Sequence, residues 1–181
     1  IEEAFNTVDP EFIRILRTAE ENIRNFHSKQ VRNSFIINEK NGVVTGQKIT
    51  AIEKVGLYVP GGTASYPSTV LMDAIPAKIA GVKKVVVVTP PDKDGNVNPV
   101  ILAAAKVAGV TEIYKVGGAQ AVAAMAYGTE SVPKVHKIFG PGNRFVMEAK
   151  QQVGAQAVAI DMPAGPSEVM IIADENANPR F

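Results

Sequence analysis

Two hydrophobic rhythms divide the chain. Between Pro10 and residue 29, Phe12, Ile13, Leu16, Ala19, Ile23 and Phe26 recur at the three- and four-residue spacing of a helix that buries one stripe. Arg14, Arg17, Glu20, Glu21 and Arg24 lie on the opposite side, as a solvated face would require. Asp9 offers a capping oxygen, and Pro10 occupies the first helical position, where a missing N–H costs nothing. The spacing therefore predicts a helix over 10–29, while Ile1 to Phe5 read as the cut end of a preceding element. From Ser34 to Val55 β-branched residues take over around an Asn41-Gly42 turn, which predicts a hairpin with strands at 34–39 and 43–49.

After Val55 the rhythm changes to short, wholly apolar runs separated by stretches of helical length. Strands are expected at 55–59, 85–89, 113–116, 135–139, 157–160 and 169–172, and helices at 67–80, 99–109, 119–127 and 143–153. Pro76 should kink or break the first of these helices, because it cannot donate a backbone hydrogen bond. Strands that are apolar on both faces and alternate with helices predict an α/β fold with a parallel sheet flanked by helices. In such a fold a ligand lies at the carboxyl ends of the strands. Unusual loops stand at those ends: Tyr58-Val59-Pro60-Gly61-Gly62, Gly117-Gly118-Ala119-Gln120, Gly140-Pro141-Gly142-Asn143 and Pro163-Ala164-Gly165-Pro166-Ser167.

Composition narrows the function more than the fold. With 181 residues, of which 46% are hydrophobic and 20% charged, the chain can bury a sizeable core and is not a disordered segment. The formal charge of +1 arises from 19 basic and 18 acidic residues without any run of like charge, which argues against nucleic acid or an anionic membrane as partner. Apolar runs are strand-sized and no leader pattern opens the chain, so the expected location is cytoplasmic. Cysteine is absent, which removes disulfides, thiolate metal ligands and a thiol nucleophile from these residues.

The candidate chemistry sits in the loops. Gly140 and Gly142 match the start of a dinucleotide fingerprint, but Phe145 occupies its third glycine position, and no Walker loop is present. Tyr58 fits either a contact to a planar ligand or a cap on the core at a strand end. Gln120 and Asn143 each follow glycines at a helix start, so a ligand-facing amide and a capping amide are both open readings. Ser167 lacks a neighbouring histidine and a nucleophile elbow, which favours a substrate hydrogen bond over nucleophilic attack. His27 and His136 are isolated and lack metal-ligand spacing, and Asp73, Glu148 and Glu168 read as solvated or capping groups.

At these loops the chain resembles the histidinol dehydrogenase family. The resembling segments are VGLYVPGG (55–62), STVLMDAIPAKIAG (68–81), VGGAQA (116–121), GTESVP (128–133), KIFGPGN (137–143) and IDMPAGPSEV (160–169). The resemblance implies a zinc-dependent enzyme that oxidises L-histidinol to L-histidine through an aldehyde with NAD as oxidant. It also implies incomplete Rossmann-like units resembling aldehyde dehydrogenase folds, and an intertwined homodimer. Carried over by position, Tyr58, Gln120 and Asn143 match cofactor-contacting residues and Ser167 a substrate-contacting one. The family's zinc ligands and its Glu-His acid/base pair fall beyond residue 181, so the resemblance places no catalytic or metal-binding residue in this chain and implies that it is inactive alone. The implied division gives 1–57 to a first, catalytic domain and 58–167 to a cofactor-side domain. Residues 168–181 would return to the first domain.

Overall fold

The computed structural model describes residues 1–61, 65–162 and 170–178. Helix α1 spans Glu2–Thr7 and α2 spans Pro10–His27, followed by a 3-10 turn at Ser28–Gln30. An antiparallel hairpin of β1 (Phe35–Lys40) and β2 (Val43–Gln47) comes next. The remaining elements are β3 (Lys54–Tyr58), α3 (Pro67–Ile79), β4 (Lys84–Thr89), α4 (Pro99–Val107), β5 (Glu112–Lys115), α5 (Gly118–Tyr127), β6 (Lys137–Phe139), α6 (Arg144–Gly154) and β7 (Ala159–Ile160).

Strands β3 to β7 form a parallel sheet in the order β5-β4-β3-β6-β7, and helices cover both faces. The alternation along β4 shows why its sequence is apolar throughout. Val85 and Val87 enter the core shared with α2, α3 and α4, whereas Val86 and Val88 enter the core shared with α5 and α6. Ile13 and Leu16 of α2 are buried in the first of these cores, beside Val70, Leu71 and Ile75 of α3. On the second face Gly56 of β3 leaves room for Met125, because a Cβ there would lie 2.4 Å from the Met125 sulfur.

At the amino end Ile1 stands as the N-cap of α1, which docks on α4 through an ion pair of Glu2 with Lys106 and places the Phe5 ring 4.5 Å from the Lys106 ammonium. Two local expectations meet a different outcome. Helix α3 continues through Pro76 to Ile79 instead of breaking. Pro76 leaves the Met72 carbonyl without its intrahelical donor, yet the helix continues for three more residues and the Pro76 carbonyl accepts the Ala80 N–H at 2.9 Å. Met170, Ile171 and Ile172 are exposed and unpaired with any strand among the described residues, while Val169 lies outside them. Apolar β-branched residues can favour extended backbone, but only a neighbouring ladder makes a strand. The hairpin expected around Asn41-Gly42 does form, with Gly42 at φ +79° and no positive φ at Asn41.

Candidate functional site at the switch point of the sheet

From β3 the chain steps to β4 and β5 on one side, then returns across the sheet to β6 and β7 on the other. The connections diverge between β3 and β6, and it is outside the carboxyl ends of the strands at such a point that α/β sheets bind ligands. Tyr58, the last residue of β3, connects the loops around it. Its ring is 4% exposed among Val86, Val88, Ala121 and Val122, and its hydroxyl accepts the Gly118 N–H at 3.0 Å. That bond ties the end of β3 to the first turn of α5.

The loop after β6 presses on the same residue from the other side. Gly140 has φ +107°, and a Cβ on it would fall 2.2 Å from the Tyr58 carbonyl oxygen. Gly61 and Gly117 approach Pro90 at the end of β4: their Cβ positions would lie 3.0 Å from the Pro90 carbonyl oxygen and 2.5 Å from its Cβ, respectively. The glycines of this rim thus serve close approach between neighbouring loops.

The positions singled out from the sequence separate as follows. Gln120 is exposed at the start of α5, and its side chain folds back over Gly118, with Oε1 2.8 Å from where a Gly118 Cβ would be. Asn143 is exposed and caps α6, its side-chain oxygen accepting the N–H groups of Phe145 at 3.0 Å and Val146 at 3.1 Å. Tyr58 therefore meets the α5 loop through its hydroxyl and the α6 loop through its backbone, which brings all three loops to one rim. Ser167, Glu168 and the remainder of 163–169 lie outside the described residues. His27 bonds Gln30 at 2.6 Å, His136 is exposed, and Glu148 is exposed and accepts a hydrogen bond from Gln152. Phe145, at the missing glycine position, is exposed with the Arg144 guanidinium 4.8 Å from its ring centre.

A charged cluster behind the rim escaped the sequence reading. Lys150 of α6 is 0% exposed, donates to the Gly140 carbonyl at 2.8 Å and pairs with Asp161, the residue after β7. Asp161 also accepts the Gly140 N–H at 3.0 Å. The available signal was that Lys150 falls on the buried stripe of Val146, Met147 and Val153. Asp73 of α3 stands near this pair as a half-buried group with one oxygen shielded from solvent, not a fully solvated one. Burial, reinforced by the charge of Asp161 and opposed by Lys150, pushes its carboxyl up to about 6. One of its oxygens has no hydrogen-bond partner among the described residues. Asp73 faces a cavity of about 600 Å³ whose wall includes His27, Arg32, Ile52, Pro76 and Phe139.

Three of the amides at the starts of α5 and α6 are already engaged, Gly118 by Tyr58 and Phe145 and Val146 by Asn143. No cluster of three His, Cys, Asp or Glu side chains able to hold a metal occurs among the described residues, and no helix among them is long and apolar enough to cross a membrane.

Comparison with known proteins places this architecture. A family model described as histidinol dehydrogenase matches residues 1–181. The histidinol dehydrogenase of Bacteroides fragilis (strain YCH46) is 61% identical over 181 residues, covering 100% of this chain and 42% of that protein. The Clostridium acetobutylicum enzyme is 58% identical over the same length and is likewise covered to 42%. The crystal structure of histidinol dehydrogenase from Elizabethkingia anophelis matches with a TM-score of 0.89 and 49% identity, over 99% of this chain and 41% of that one. With whole-length coverage on its own side and about two fifths of the length of these relatives, the chain belongs to the histidinol dehydrogenase family.

Proposed function

We propose that this chain holds the cofactor-side unit and part of the catalytic unit of a cytoplasmic, homodimeric enzyme that oxidises L-histidinol to L-histidine through L-histidinal, using NAD and zinc, in the last steps of histidine biosynthesis. The observation that carries the reading is the family match over residues 1–181, joined to the switch point of the sheet between β3 and β6. Tyr58, Gln120 and Asn143 are assigned to the cofactor and Ser167 to the substrate. The proposed domain boundary between 57 and 58 falls at the last residue of β3, with 58–167 forming the cofactor-side unit and 168–181 returning to the domain of 1–57.

Alcohol oxidation needs a base for the hydroxyl proton while hydride departs to a bound acceptor, here NAD. The described residues bind and orient: Tyr58 ties two loops together, Asn143 fixes the start of α6, and Gln120 stands on the first turn of α5. A zinc site and the acid/base pair would be supplied by residues beyond 181, so the isolated chain should not turn over. NADH absorbance with histidinol, NAD and zinc tests this, and a rate near that of a full-length relative would refute it. Protection from thermal unfolding by NAD tests the cofactor assignment separately, since a ligand that binds only the folded state raises its stability.

A further inference from the structure

Lys150 is a buried charge to which cofactor binding gives no direct task. Its ammonium reaches back from α6 to the loop that opens the same helix, donating to the Gly140 carbonyl at 2.8 Å. Its partner Asp161 accepts the Gly140 N–H at 3.0 Å and closes the ring by pairing with Lys150. Both backbone polar groups of one glycine are thus held by charged side chains from two different elements. A buried ion pair is a poor device for stability alone, because desolvation offsets most of the attraction and an apolar pair of similar size is often as stable. What this pair does supply is geometry. It fixes the residue pressed against Tyr58, three positions before Asn143, and Asp161 stands six positions before Ser167 in the sequence.

We propose that Lys150 and Asp161 are positioning residues that hold the Gly140–Asn143 loop in the conformation competent to bind the cofactor. The proposal rests on the cofactor reading given above, and its test keeps the two apart. In the full-length protein, Lys150→Met with Asp161→Asn removes both charges while sparing the fold a lone buried one. The expected result is an unfolding temperature within a few degrees of the parent, KM and Kd for NAD raised about tenfold or more, kcat changed far less, and faster amide exchange at residues 140–143. Parental NAD affinity together with parental exchange in the double variant would overturn the proposal. Should the double variant fail to fold, Lys150→Met alone leaves the charge on Asp161, whose side chain is 27% exposed and still accepts the Gly140 N–H. It should still weaken NAD binding several-fold and speed exchange at 140–143, and no change in either measurement rejects the positioning role. If the parent itself does not bind NAD, the cofactor reading fails, and exchange at 140–143 alone then decides whether the pair holds the loop.

Discussion

The carbonyl oxygen of Tyr58 occupies the space that a side chain on Gly140 would need, 2.2 Å from its Cβ position. The obstacle is backbone in the middle of a five-stranded sheet, so it has little freedom to retreat. Gly140→Ala combines that overlap with an unfavourable φ of +107° and should cost about 3 kcal/mol or more. Gly42→Ala is the control, having a similar φ problem at +79° with open space around it, and should cost only about 1 kcal/mol. Urea unfolding of both variants measures the difference, and equal losses would show that the sheet yields at this contact.

Asp73 should make stability fall as pH rises. Its folded-state carboxyl titrates at about 6, above its ordinary value of 3.8, so its favourable contribution is complete below the lower value and is lost as pH passes the higher one. Asp73→Asn removes that loss. The variant should be more stable than the parent at pH 7–8 by about 1–2 kcal/mol, a figure reduced from ~1.4 kcal/mol per pKa unit because the group retains some solvent, and the advantage should vanish near pH 4. Urea midpoints across this range decide it, and a constant difference at all pH values would remove Asp73 as the titrating group.

Asn143 has two separable roles. Asn143→Ala removes the cap of α6 and should cost about 1 kcal/mol, along with any amide contact to NAD. Asn143→Ser retains a capping oxygen, so it should restore most of the stability yet leave NAD binding weak. Calorimetric titration alongside thermal unfolding separates these effects, and full recovery of NAD affinity in the serine variant would reduce Asn143 to a cap.

Tyr58→Phe keeps the buried ring and deletes the acceptor of the Gly118 N–H. The expected cost is about 1–2 kcal/mol, read as a lower urea midpoint, and protection by NAD should decline with it. Unchanged protection would confine Tyr58 to tying β3 to α5.

Most of the fold could be read from local pattern because it is written in periodicity. Pro10 and Pro99 start helices where they were expected, and Val85 to Val88 are buried on both faces of a parallel sheet. The sequence could not reveal which strand stands beside which, so 169–172 looked like a strand although Met170 to Ile172 join no ladder among the described residues. Gln120 and Asn143 were legible as loop residues at helix starts, but whether an amide caps or faces a ligand depends on the other loop. The Lys150–Asp161 pair was hidden for a related reason. A lysine on an apolar stripe is conspicuous only once a carboxylate eleven positions away is known to lie beside it.

The placement of β3 also bears on how the sheet is assembled on the ribosome. β3 emerges first of the five parallel strands yet ends in the middle, flanked by β4 and β6. Once residues up to 115 have been made, β3, β4 and β5 can pair, while the other edge of β3 waits for residues 137–139. At about 5–20 residues per second that wait lasts on the order of seconds. Protease digestion of released chains ending at residue 116 would show whether this half-sheet closes on its own. If it does, a row of unpaired backbone amides along Val55, Gly56 and Leu57 is what a chaperone would meet on the nascent chain.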